Sequence, residues 1–231
     1  LAPSNLIMND MKKIGIKRIG LWKRGVDAER FNPRYRSADM RNLLSDGHPD
    51  ETLLLYVGRL STEKQIENLK PVLEAVPGTR LALVGHGPAR EELEKHFAGT
   101  ATKFVGYLTG EPLAQAYASA DMFVFPSSME TFGLVVVEAM AAGLPVVASR
   151  VGGVRDVVKE GVTGYSFDVG DIPALIDGVR QIAVNRERIT EMGYAARRFA
   201  ETQSWDAIMD EVIDTYRDQI DRKRSDARAS A

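Results

Sequence analysis

The chain has 231 residues, 44% of them hydrophobic and 27% charged, which is an ordinary globular composition with enough length to bury one large core. A formal net charge of −2 implies no broad basic surface and argues against a nucleic-acid partner. The absence of cysteine excludes a disulfide framework and a thiolate metal site, and no apolar run approaches the length of a membrane span.

The chain opens Leu1-Ala2-Pro3-Ser4, without Met and without a signal-peptide pattern, and reads as a cut through a longer protein. Ser4–Ile14 is predicted as a helix and Lys17–Trp22 as a strand. Residues from Val26 to Asp50 are polar and turn-rich, so 28–50 is expected to be a linker between a short remnant, 1–27, and a main domain, 51–204. In that domain short apolar runs alternate with amphipathic stretches. The predicted strands are Thr52–Val57, Arg80–Val84, Lys103–Gly106, Met122–Pro126, Pro145–Ser149 and Tyr165–Phe167. The predicted helices are Gln65–Val76, Pro88–Phe97, Pro112–Ser119, Phe132–Ala142, Val154–Lys159, Ile172–Val184 and Arg186–Thr202. Pro71 calls for a kink or a late start in the first of these, and Pro88 occupies the favoured first turn of the next. A last helix, Trp205–Arg222, is followed by a tail, 223–231, expected to be disordered. Several strands are almost wholly apolar, as strands covered on both faces are. The fold class is α/β, a Rossmann-like parallel sheet with helices on both faces.

Two carboxylates frame the chemistry. Glu130 follows the run Val124-Phe125-Pro126, and Glu138 stands eight positions later in the next predicted helix. A rise of about 1.5 Å per residue places them roughly 12 Å apart along the axis. That spacing suits the hexose and ribose ends of a nucleotide sugar. Between them, the backbone N–H groups of Thr131, Phe132 and Gly133 open the helix and offer donors to phosphate. A bare pair of acids also reads as two solvated surface glutamates. Gly58-Arg59, with Lys64, lies at the carboxyl end of the Thr52–Val57 strand, where open α/β sheets bind ligands. These cations could neutralise a diphosphate, or simply be solvated. Val84-Gly85-His86-Gly87-Pro88 lacks the third glycine of a dinucleotide fingerprint and reads equally as a tight turn. Gly152-Gly153 repeats glycine backbone at the same rim. The three histidines are scattered and no Asp-x-Asp pair is present, so no metal and no cofactor are expected.

Together these elements resemble one family. The run from Glu130-Thr131-Phe132-Gly133-Leu134 through Glu138-Ala139-Met140 to Val147 is similar to the signature of retaining glycosyltransferases with the two-domain GT-B fold. Gly58-Arg59-Leu60 with Lys64, the Val84–Pro88 turn, and Gly25-Val26-Asp27 followed by Phe31-Asn32-Pro33 fit the same pattern. The resemblance implies that Glu130 holds the donor hexose beside the Phe132, Gly133 and Leu134 backbone. It also implies that Glu138 binds the ribose, that Arg59 and Lys64 bind the diphosphate, and that Gly106, Tyr107 and Leu108 edge the base. His86 replaces the Asp usual between the two glycines of its turn and receives no role.

Segments outside these motifs resemble the sulfoquinovosyltransferases of cyanobacteria and plastids: Trp22–Asp27, Met40-Arg41, Leu69–Ala75, His96–Thr100 and Phe104–Leu108. That likeness implies transfer of sulfoquinovose from UDP-sulfoquinovose to diacylglycerol. The alternatives are another lipid-directed hexosyl- or mannosyltransferase with a UDP or GDP donor, or a nucleotide-sugar epimerase of the same fold. The lipid acceptor would be held by a domain preceding this one, toward which the helix from Trp205 crosses back. The full protein would then be cytoplasmic and peripheral at a membrane surface, cytosolic or thylakoid-facing.

Overall fold

Strands that are apolar on both faces need cover on both faces, and the computed structural model supplies it. It describes residues 1–229 apart from Pro3, Lys23, Arg24 and Val184, with side chains as far as Arg222 and at Ser225. In chain order the elements are α1 (Asn5–Lys13), α2 (Ala38–Leu44), β1 (Thr52–Val57), α3 (Lys70–Ala75), β2 (Thr79–Val84), α4 (Arg90–His96), β3 (Thr102–Gly106) and α5 (Gly110–Ser119). They continue with β4 (Met122–Phe125), α6 (Leu134–Ala141), β5 (Val146–Ser149), β6 (Gly164–Phe167), α7 (Ile172–Ala183), α8 (Arg186–Glu201) and α9 (Trp205–Ala229).

The six strands form one parallel sheet in the order β3-β2-β1-β4-β5-β6. β1 and β2 run in register from Thr52 opposite Thr79 to Val57 opposite Val84. The central strands are the core: Leu53, Leu54, Leu55 and Tyr56 of β1 and Met122, Phe123 and Val124 of β4 are fully buried. In α7, Leu175, Val179 and Ile182 recur at helical spacing and are fully buried against β5 and β6. Asn185 caps α8, its Oδ1 accepting from Arg188 N at 2.7 Å. The strand order runs outward in one sense from β1 and in the other from β4. The loops leaving these neighbours therefore bound a crevice at their carboxyl ends.

Several boundaries differ from the sequence expectation. Lys17–Trp22 forms no strand; Leu21 makes a single parallel bridge to Ala2, outside the six-stranded sheet. Residues 28–50 are not a linker. They contain α2 and bury Phe31, Met40 and Leu44 in the core. They also supply Arg41, whose guanidinium donates to Asp121 Oδ2 (2.7 Å) and to the carbonyls of Pro49, Ser119 and Glu51. Four donors from one buried side chain tie the segment to the amino ends of β1 and β4. Pro71 acts as a late start: a 3₁₀ turn, Ile66–Leu69, precedes α3, and the proline sits in its first turn. α4 begins at Arg90, after Pro88, and the predicted Val154–Lys159 helix is a 3₁₀ turn, Gly152–Asp156. The predicted end of α7 at Val184 lies outside the described residues. α9 continues past Arg222, so the tail expected to be disordered is helical as far as it is described. The start of α9 is seated on Gly25, where an added Cβ would stand 2.1 Å from the Trp205 ring, and Val26 N donates to Gln203 O at 2.8 Å. Among the described residues no helix is long and apolar enough to cross a membrane.

Candidate functional site

The rim is built first by glycine. Gly85 has φ +146°, and a Cβ there would lie 1.8 Å from the carbonyl oxygen of Gly58. At Gly87 the same atom would lie 2.1 Å from Leu60 O. The Gly-x-Gly turn therefore lets the loops after β1 and β2 touch backbone to backbone. Their contact leaves a cavity of about 430 Å³ at the carboxyl ends of β1, β2 and β3. Gly58, Arg59, Tyr107, Leu108 and Glu138 all line it, so α6, the β1 loop and the β3 loop converge there. Gly106 ends β3 just before this wall. Arg59 and Tyr107 are solvent-exposed.

A second cluster stands beside it. Lys64 Nζ lies 3.0 Å from Glu130 Oε2 and 3.4 Å from Met129 O, and sits over the Phe125 ring at 5.3 Å. Glu130 Oε1 accepts from Thr131 N (3.0 Å) and Phe132 N (3.2 Å). Two of the backbone donors expected to face phosphate are thus occupied by Glu130 itself. Gly133 has φ +71° and caps α6, so the helix starts at Leu134 and only the second half of the Glu130–Glu138 interval is helical. That shortens the basis of the helical-rise spacing. Gly152 explains how the loop is held: its Cβ would stand 1.7 Å from Glu130 O. Ser128 N and Oγ both donate to Glu63 O, at 2.8 and 2.9 Å, tying the β4 loop to the β1 loop.

The two carboxylates have opposite electrostatics. Burial pushes Glu130 up, but the hydrogen bond and charge of Lys64, with the Gly133 and Phe132 backbone, hold it below the usual carboxylate range. Burial dominates at Glu138 and raises it, against a hydrogen bond from Tyr117 and the charge of Arg30. Tyr117 is fully buried, and its hydroxyl donates to Glu138 Oε2 at 2.9 Å. The ionised form is thus favoured at Glu130, and burial works against it at Glu138.

Of the predicted residues, Gly58, Arg59, Tyr107, Leu108 and Glu138 line the cavity, Lys64 and Glu130 pair beside the Phe132 and Gly133 backbone, and Leu134 begins α6. Sequence reasoning missed Arg30, Thr109 and Leu113, and gave His86 no role; all four line the cavity. Arg30 had a signal, since it lies between Asp27 and Phe31 in the motif pair already noted, but the polar stretch around it read as linker. A larger cavity, about 720 Å³, opens at the opposite edge, where Asp50, Asp121 and Leu144 precede β1, β4 and β5. Ligands of open α/β sheets bind at the carboxyl edge instead. Among the described residues no group of three or more acids or histidines is placed to hold a metal.

Residues 45–199 match the family described as glycosyl transferases group 1. The chain is 44% identical over 218 residues to a sulfoquinovosyl transferase of Arabidopsis thaliana, covering 92% of this chain and 43% of that protein. It is 35% identical over 220 residues to a GDP-mannose-dependent alpha-mannosyltransferase of Corynebacterium glutamicum, covering 95% and 52%. It thus spans about half the length of these relatives. Among solved structures, the sucrose-phosphate synthase of Thermosynechococcus elongatus superposes with TM-score 0.82 at 30% identity, covering 96% of this chain and 58% of that one. The HepE protein of Anabaena in complex with UDP superposes at 0.83 and 22% identity, covering 94% and 63%, a likeness of fold. The sheet with helices on both faces is that of GT-B enzymes, and the chain belongs to the group 1 glycosyl transferases.

Proposed function

We propose that this chain binds the nucleotide sugar for a retaining glycosyltransferase, and that the full-length protein transfers sulfoquinovose from UDP-sulfoquinovose to diacylglycerol. The observation that carries the donor reading is the convergence of Glu138 and Arg59 on one 430 Å³ cavity, with the Lys64–Glu130 pair at the adjoining loop. A carboxylate takes the ribose hydroxyls, the cations take the diphosphate, and Glu130 takes the hexose. Charge developing on the leaving nucleotide is met by Arg59 and Lys64, without a metal. The sulfoquinovosyl assignment is supported by the relative at 44% identity. A mannosyl donor with GDP is the second reading, supported by the relative at 35%.

The acceptor would reach the anomeric carbon from a facing wall supplied by residues beyond this chain. An exposed apolar stripe on α9, Trp205, Met209, Ile213, Tyr216 and Ile220, supports that reading. In the full protein we place the lipid acceptor and peripheral membrane contact there. Calorimetry with UDP and GDP on this chain, alongside a lipid-product assay, tests the proposal. The expected result is binding of UDP, more weakly than by the full protein, and no sulfolipid product from the chain alone. A folded chain with no affinity for either nucleotide refutes the donor reading, and preference for GDP favours the mannosyl reading.

A further inference from the structure

We propose that Tyr117 is a positioning residue for the donor's ribose: its buried hydroxyl, 2.9 Å from Glu138 Oε2, holds that carboxylate as an aimed hydrogen-bond acceptor in the wall of the donor cavity. The inference rests on the donor-site reading and names what makes the ribose contact work.

The phenol cannot move freely. It is fully buried, its ring meets Phe31 edge-on at 5.4 Å and Phe123 at 5.8 Å, and α5 carries it against α6. Burial and the neighbouring carboxylate push its own ionisation well above the ordinary range, so the hydroxyl stays a donor. Glu138 is half-buried and needs a fixed donor, because a carboxylate withdrawn from water without one favours its neutral form. A protonated carboxyl accepts hydrogen bonds from the two ribose hydroxyls less well than an ionised one.

The charged and titratable groups around Glu138 come from every side of the cavity. Tyr117 faces it from α5, Arg30 from the turn after Asp27, Arg59 from the loop after β1, and His86 from the turn after β2. Arg30 favours the ionised form, as Tyr117 does. The sign follows: removing either interaction makes Glu138 take up its proton at higher pH, so nucleotide affinity falls earlier on acidification.

The test is calorimetry of UDP and GDP, which share the ribose, from neutral to mildly acidic pH. It compares the unaltered chain with Tyr117→Phe, Arg30→Ala and Glu138→Gln. Glu138→Gln removes the carboxylate's titration and leaves that of the nucleotide phosphate as a baseline. Tyr117→Phe is expected to weaken binding about tenfold at neutral pH and to move the remaining acid limb to higher pH. Arg30→Ala, at an exposed position, is expected to move the limb the same way and keeps the test valid should Tyr117→Phe unfold. Weaker binding with an unmoved limb in both variants would make Tyr117 merely structural and overturn the inference. An unaltered chain that binds a nucleotide with the same profile as Glu138→Gln also overturns it, leaving the donor site standing. An unaltered chain that binds neither nucleotide overturns the donor reading beneath it.

Discussion

Lys64 and Glu130, 66 residues apart in sequence, meet with Nζ 3.0 Å from Oε2. One leaves β1 and the other β4, the two parallel neighbours from which the strand order runs outward in opposite senses. Each has about four-fifths of its side chain covered, 17% and 19% being exposed, so the pair is screened less than a surface salt bridge. Glu130 also holds two amides of its own loop. In the proposed roles, a diphosphate would compete with Glu130 for Lys64, and a hexose would compete with the backbone for Glu130.

Lys64→Ala in the full-length enzyme is expected to lower turnover by about 100–1,000-fold, the usual loss when a donor to developing negative charge is removed. EDTA is expected to change little. Initial rates with and without chelator check both points, and activity abolished by EDTA and restored by magnesium would show a metal carrying the charge instead.

The two carboxylates are expected to separate in binding. Glu138 lines the cavity and Glu130 does not. Glu138→Ala should weaken free UDP and the sugar donor alike, whereas Glu130→Ala should leave UDP affinity nearly intact and damage transfer. Calorimetry with UDP against transfer rates decides it; equal loss of UDP affinity in both variants contradicts the division of roles.

Gly152 and Gly161 both have positive φ, +44° and +69°, but only Gly152 is crowded, by Glu130 O at 1.7 Å; Gly161 has nothing within 4 Å. Gly161→Ala should cost only the left-handed penalty, about 1–2 kcal/mol. Gly152→Ala must also displace the Glu130 carbonyl, so it should cost clearly more and reduce transfer. Urea unfolding midpoints and rates for the two variants test this, and equal effects would remove Gly152 as the support of the loop.

Asp121 is buried and accepts from Arg41, from Arg186 and from Leu53 N. Asp121→Ala leaves Arg41 buried with its carboxylate partner gone, and should destabilise the chain by about 3–5 kcal/mol. Arg186→Ala should cost much less, since 53% of that side chain is exposed. Denaturant midpoints give both numbers, and a small effect of Asp121→Ala would mean that solvent reaches Arg41.

What the sequence determined by itself is local. Apolar runs such as Thr52–Val57 and Met122–Pro126 announced buried parallel strands, because continuous apolar character over a strand's length is a property of a few consecutive residues. The Phe132–Ala142 stretch announced a helix, which the structure starts two residues later, at Leu134. Tertiary structure decided what depends on partners far along the chain. Lys17–Trp22 has the composition of a strand but, among the described residues, pairs only through the Leu21–Ala2 bridge. The polar stretch 28–50 looks like linker until Arg41 is seen buried on Asp121, 80 residues away. The Gly85 requirement comes from the carbonyl of Gly58 on the neighbouring strand. Lys64 and Glu130 look like a cation for phosphate and an acid for sugar, and sheet order makes them one ion pair. Periodicity records which face of an element is covered, and only the packed sheet shows which residues of two different loops share the space at its edge.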